Sequence, residues 1–233
     1  MQSQNIKEGL KDSIPIAIGY FSVSFTFGIM AAGFGISPWM AGIISLCNVT
    51  SAGQFAGITL LASGAPYFEL FLTQLIINLR YALMSLTLTQ NLASSVKTPQ
   101  RLLMSYGITD EIFAVAVTRK KPLTLSYMIG LEWFPIFSWT VGTVLGAIAN
   151  NLLPASIQSA LGIALYAMFV AIVLPVARES KGVCFVALIA LCLSCIFYYV
   201  PVLNRISSGF SIIICTLLAS GIGALQITEE KTA

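Results

Sequence analysis

Residues 39–62 read WMAGIISLCNVTSAGQFAGITLLA, an apolar stretch interrupted at its middle by Asn48-Val49-Thr50-Ser51-Ala52-Gly53-Gln54. About 20 apolar residues suffice for a membrane-crossing helix, but an interruption this polar cannot sit in a continuous lipid-facing one. Non-helical backbone at membrane depth is tolerated only where protein buries it or it lines a wet cavity. The stretch therefore reads as a broken or re-entrant helix within a bundle. Ser51-Ala52-Gly53-Gln54 would open its second half, where exposed N–H groups suit an anion such as a carboxylate. Asn48 and Gln54 would add side-chain hydrogen bonds.

The rest of the chain agrees with a membrane setting. Of 233 residues, 57% are hydrophobic and 9% charged, against about 25% charged in soluble domains. Apolar segments fall at roughly 14–33, 39–62, 67–90, 102–118, 123–149, 155–177, 182–200 and 209–226, joined by short linkers rich in Gly, Pro, Ser and Asn. The first run is too long for a signal-peptide core and is expected to be retained. Segment 102–118 is the second irregular one, being short and carrying Asp110 and Glu111 near its middle. The expected class is all-α: a polytopic membrane helical bundle of about six full spans plus two broken or re-entrant segments. Residues 1–13 are expected to form a cytoplasmic N-terminal segment, 14–226 one transmembrane transport domain, and 227–233 a cytoplasmic tail.

Basic residues concentrate in cytoplasmic loops, and this tests the two irregular segments. If all eight segments cross, Lys97, Arg101 and Arg205 face outward. If 39–62 and 102–118 both re-enter, only Arg205 does. The second topology is preferred, with both termini cytoplasmic.

Polar side chains within apolar segments mark interior faces. In FLTQLIINLRYALMSLTLTQ (71–90), Gln74, Asn78, Tyr81 and Ser85 share one helical face, with Arg80 on the neighbouring arc. An arginine this deep costs on the order of 2.5–3.5 kcal/mol on insertion scales unless paired or wetted. Its fork suits a substrate carboxylate or a structural ion pair. Asp110, Glu111 and Glu132 are its natural partners, and each is also a candidate proton-coupling group. Glu132 begins a seam with Pro135, Trp139, Thr143 and Gly146, and Gly142 with Gly146 reads as a packing pair. In the first span, Pro15, Gly19, Ser22, Thr26 and Gly33 form a small-residue seam read as helix packing or a pathway wall. Trp39, Tyr67, Tyr127, Tyr198 and Tyr199 read as interfacial anchors.

Several chemistries lack their parts. Zero histidines remove Ser-His and Cys-His catalysis and most zinc hydrolysis. Cys192 and Cys195, spaced C-x-x-C inside LIALCLSCIFYY, read as small packing residues. No phosphate-cradling glycine loop is present, and no basic stripe with interleaved aromatics suggests nucleic acid. No cofactor or metal is expected, and the chain does not read as an enzyme.

Four motifs, TSAGQFAGITLLASGA (50–65), NLRYALMSLTL (78–88), YGITDEIFAV (106–115) and EWFPIFSWTVGTVLGAIANN (132–151), resemble in order and spacing those of the AzlC-type branched-chain amino-acid permease family. The resemblance covers roughly residues 8–225. It implies the large subunit of a bacterial inner-membrane exporter of branched-chain amino acids, and sometimes methionine, that works with a small AzlD-type four-span membrane protein. The family's polar motifs would fall on Gln54, Asn78, Arg80, Asp110 and Glu111. One departure is that the common A-G-x-x-Q-F order appears here as Ser51-Ala52-Gly53-Gln54-Phe55. The reading that joins these strands places substrate at Asn48, Ser51, Gly53, Gln54, Asn78 and Arg80. Asp110, Glu111 and Glu132 then serve proton coupling or ion pairing. A passive channel or scaffold subunit is the alternative, and a lipid-acting enzyme is a third. The preferred topology predicts that Ser94→Cys, in the 91–101 loop, is modified by an impermeant thiol reagent only from the cytoplasmic side. Labelling from outside intact cells would restore eight crossings.

Overall fold

In the computed structural model the backbone is described at residues 2–150, 152–154, 156, 170, 173–175 and 177–232, with side chains of 2–4 and 226–232 left aside. The elements are α1 (Gln2–Gly33), α2 (Pro38–Cys47), α3 (Ser51–Ala62), α4 (Tyr67–Thr89), α5 (Thr98–Tyr106), α6 (Asp110–Thr118), α7 (Leu125–Asn150), α8 (Lys181–Tyr199) and α9 (Ser208–Thr232). Among the described residues there is no strand, only an isolated bridge between Leu92 and Leu123. Among the described residues five helices, α1, α4, α7, α8 and α9, are long and apolar enough to cross a bilayer. The expected segment 155–177 lies largely outside the described residues.

Contacts divide the chain into two compact units, Met1–Gln54 with Asn78–Gly162, and Phe55–Ile77 with Ile163–Ala233. The first is built on α1 and α7. Lipid offers helices no hydrophobic drive to associate, so they hold together by close packing at small residues. A Cβ added to Gly28 would lie 2.0 Å from the Thr143 carbonyl oxygen, and one added to Gly146 would lie 2.0 Å from that of Phe25. Toward the other end, a Cβ added to Gly9 would lie 2.2 Å from the Tyr127 carbonyl oxygen, and one added to Gly130 would lie 2.4 Å from that of Ile6. Early residues of α1 thus pair with early residues of α7, and late with late, so the helices run parallel. Ser138 ties them with a hydrogen bond to the Ala17 carbonyl at 2.7 Å.

The expected packing pair Gly142 and Gly146 sits in this contact, and the seam from Glu132 to Gly146 is buried throughout. The seam expected on the first span is corrected. Pro15, Gly19, Ser22 and Gly33 are exposed, and nothing approaches Gly19 or Gly33. The packed face is instead Ser13, Ala17, Ser24 and Gly28. Residues 2–13 are also helical, extending α1 through the polar segment.

Both irregular segments are broken. The first is α2 and α3, separated by extended backbone at 48–50. Ser37 caps α2, accepting the Met40 N–H, with Pro38 at its first position, where a missing N–H is harmless. Ser45 on α2 and Gln54 on α3 hydrogen-bond at 2.8 Å. Nine residues of straight helix would separate them by about 13.5 Å, so the chain turns at the break.

The second is α5 and α6, separated at Gly107–Thr109. The backbone after α4 pairs with the backbone before α7: Ala93 N–H donates to the Leu123 carbonyl at 2.9 Å and Leu123 N–H to that of Asn91 at 2.8 Å. Both ends of residues 98–118 therefore lie at the start of α7, while Gly107 packs on Glu132, about 10 Å further along that helix. Residues 98–118 form a hairpin that enters and returns on one side. Leu88, Val96, Met104, Ile112, Leu123 and Met128 make the apolar core beneath it.

In the second unit, the Glu69 carboxylate accepts the Gly209 N–H at the start of α9, at 2.9 Å, where negative charge complements the helix dipole. Gly223 of α9 lies against Val186 of α8.

A side chain at Gly146 has no room against the Phe25 carbonyl, so Gly146→Leu is expected to part α1 from α7. Size-exclusion chromatography of the detergent-extracted chain should show at least a several-fold loss of monodisperse protein. Unchanged yield and elution would contradict the close contact.

Candidate functional site

The two breaks are held by side chains from α1, α4 and α7. At the first, Thr50 precedes α3 as its cap, its hydroxyl 3.4 Å from the Gly53 N–H and its carbonyl accepting the Gln54 N–H at 3.0 Å. The same hydroxyl donates to Asn78 Oδ1 at 2.8 Å, so α4 is tied to the start of α3. Ser51, the first residue of α3, has a buried hydroxyl with no hydrogen-bond partner. Asn48 closes α2, its N–H bonded to the Ile44 carbonyl.

Gln54 is 1% exposed and engaged at both ends of its amide. Nε2 donates to Ser45 Oγ at 2.8 Å, and Oε1 accepts the Trp139 indole N–H at 2.7 Å. Ser45 and Thr143 hydroxyls lie 2.7 Å apart, which completes a polar chain across α2, α3 and α7. Gln54 thus ties the first turn of α3 to α2 and α7.

At the second break, Thr109 caps α6, its hydroxyl accepting the Ile112 N–H at 3.4 Å. Asp110 and Glu111 occupy the first turn, where the dipole favours anions. They diverge, as neighbours on a helix must. Asp110 pairs with Arg80 at 2.9 Å. The Tyr20 hydroxyl lies 2.6 Å from Glu111 Oε2 and 2.5 Å from Thr109 Oγ1. Arg80 and Asp110 side chains are 44% and 46% exposed, so each keeps hydrogen-bonding atoms open. The guanidinium also stands 5.3 Å from the Tyr81 ring centre.

Glu132 does not join the ion pair. It is 1% exposed, its Oε1 has no partner, and its side chain fills the space a Cβ on Gly107 would need. It packs against the turn between α5 and α6. The two breaks also touch each other, since the Tyr106 hydroxyl donates to the Leu46 carbonyl near the end of α2.

The site therefore gathers the unpartnered Ser51 hydroxyl, Asn78, and the Arg80–Asp110 pair around two helix starts. Among the described residues no cluster of His, Cys, Asp and Glu could hold a metal. The family described as AzlC protein matches residues 15–153. This chain belongs to the AzlC family. It is 32% identical over 193 residues to the inner membrane protein YgaZ of Escherichia coli K12, covering 79% of this chain and 78% of that one. It is 34% identical over 179 residues to an uncharacterized membrane protein of Archaeoglobus fulgidus, covering 75% and 77%. No solved structure matches it. The AzlC match spans both breaks and the α1–α7 contact from residue 15 onward, and the chain is a membrane protein like its relatives.

Sequence reasoning missed Tyr20, Thr50 and Thr109. The two threonines carried a signal, since a hydroxyl residue just before a helix start is the usual cap. Tyr20 carried none, because only the fold brings it to Glu111. Loss of the Gln54 amide leaves the Trp139 N–H buried without its acceptor, at about 1–3 kcal/mol, and leaves Ser45 with Thr143 alone. Gln54→Leu should therefore lower the thermal midpoint in detergent more than Arg80→Ala, whose pair is half-exposed and worth about 0–1 kcal/mol in a wet setting. The reverse order would contradict the structural role of Gln54.

Proposed function

We propose that the chain is the substrate-carrying subunit of a secondary exporter of neutral apolar amino acids, the branched-chain ones first. The observation that carries this reading is the Arg80–Asp110 pair, opposite charges 2.9 Å apart and each about half open. A zwitterionic amino acid presents the complementary arrangement. Its carboxylate would bind the Arg80 fork, supported by the unpartnered Ser51 hydroxyl and the N–H groups that open α3. Its ammonium would bind Asp110. A free guanidinium or carboxylate alone would suit many ions, but the two together favour a molecule carrying both charges.

Export against a gradient needs a coupled ion. Glu132 is the candidate, a buried carboxyl with no cation beside it, packed on the turn of the α5–α6 hairpin. Moving a proton on or off that carboxyl would change its charge where charge is poorly tolerated, and the adjoining hairpin is the element such a change would displace. In this reading the protein acts without a bound cofactor or chemical conversion, in a bacterial inner membrane, with both termini cytoplasmic. A small AzlD-type four-span membrane protein completes the transporter.

The test is efflux of valine, leucine and methionine from dipeptide-loaded cells. The chain is expressed alone, with the small partner, and not at all. Efflux is expected only with the pair, and Arg80→Ala should abolish it while membrane insertion persists. Normal export by an inserted Arg80→Ala protein would overturn the carboxylate role, and export insensitive to collapse of the proton gradient would overturn coupling.

A further inference from the structure

We propose that the groove between the C-terminal half of α4 and α5 is a second binding site for an apolar α-amino acid, loaded before the substrate reaches Arg80 and Asp110. This rests on the amino-acid reading above and adds a site to it.

The groove encloses a cavity of about 190 Å³. For comparison, a dry engineered cavity of about 150 Å³ holds benzene, so an aliphatic side chain fits with its polar head at the rim. The floor is Leu88, Met104, Ile108, Leu123 and Met128, all between 0% and 8% exposed. Two of these are methionines, whose unbranched side chains adapt to differently shaped apolar groups. Such a floor favours apolar side chains as a class over any single one.

The rim supplies the head-group chemistry. On α5, Thr98, Arg101 and Ser105 are spaced three and four residues apart, and therefore share one face. On α4, Ser85 and Thr89 stand one turn apart. Arg101 takes part in none of the ion pairs among the described residues, which leaves its fork for a carboxylate. The Thr89 and Ser105 hydroxyls already donate to the carbonyls of Ser85 and Leu102, at 2.9 and 2.8 Å. Their remaining lone pairs can only accept, which suits an ammonium group. One cation and acceptor hydroxyls above an apolar floor match an apolar amino acid at both ends.

Position makes the groove an antechamber. It lies at the end of the first unit where α7 begins, since Leu123 and Met128 form part of its floor. Ser85 is five residues from Arg80, about 7.5 Å along α4, and Ile108 is two residues from Asp110. An amino acid resting here has Arg80, on the same α4, and Asp110, at the start of α6, as the next charges along the chain on either side.

The test uses the full chain in phosphatidylcholine nanodiscs and a reporter at Leu102→Cys, an exposed residue of the groove's lining outside the head-group set. Modification by a thiol reagent is read by peptide mass spectrometry at position 102, so the native cysteines do not contribute. Millimolar L-leucine is expected to slow modification at least threefold, and glycine, which has the same head and no side chain, is not. The protection should persist in Arg80→Ala and disappear in Arg101→Ala and in the milder Arg101→Gln. A leucine effect that vanishes with Arg80→Ala, or no leucine effect at all, would overturn the second site. The latter is also the result expected if a lipid chain fills the groove. Protection at 102 without any export by the wild-type pair would sink the exporter reading and leave this site standing.

Discussion

Backbone-to-backbone contact between α1 and α7 is the constraint on which the first unit depends. Glycines on both helices let carbonyls approach where any side chain would collide, at Gly9 and Gly130 near one end and Gly28 and Gly146 near the other. The two helices then act as a single wall from which the polar anchors project. Trp139 and Thr143 reach the α2–α3 break through Gln54 and Ser45. Tyr20 reaches the cap of α6, and Glu132 fills the turn before it. At the base, Glu8 and Asp12 of α1 bind Arg119 and Tyr127 at 2.8 and 2.9 Å, with the Arg119 guanidinium 3.5 Å from the Tyr127 ring centre. The hairpin is thus fastened at its tip and at its return.

Breaking helices inside a membrane is expensive unless every freed group finds a partner. Here each break is also a helix start, and the capping threonines meet part of that cost with their own hydroxyls. What is left over is chemically useful. The dipole of α6 favours the Asp110 carboxylate that Arg80 needs, and the start of α3 leaves a buried hydroxyl at Ser51 unspent. The proposed site for a molecule with both charges uses the same helix starts that let the chain turn back.

Much of this was legible in the sequence because lipid makes polarity conspicuous. The polar run at 48–54 and the charges of Asp110 and Glu111 within 102–118 stand out in apolar surroundings, and the chain breaks at 48–50 and at 107–109. Charge alone offered Asp110, Glu111 and Glu132 as partners for Arg80; Asp110 pairs with it, while Glu111 meets Tyr20 and Glu132 stands apart. Gly142 and Gly146 were read as packing, as was the buried seam from Glu132. What failed to show was direction. Small residues occur on more than one face of α1, and composition could not say that Gly9 and Gly28, and not Gly19, meet α7. Nor could spacing assign Gln54, whose amide reads equally as a substrate ligand or as a bolt between helices. Tyr20 carried no signal, because only the fold brings its hydroxyl to Glu111 and Thr109.

The central claim is that Arg80 and Asp110 together recognise a zwitterion. Its most direct test is calorimetric binding to the reconstituted chain, alone and with an AzlD-type small membrane protein added, comparing L-leucine with leucinamide, which lacks the carboxylate, and 4-methylpentanoate, which lacks the amine. The account predicts that leucine binds and that each analogue loses at least tenfold, about 1.4 kcal/mol. Equal affinity for leucine and either analogue would contradict it, because one of the two charges would then have no part in recognition.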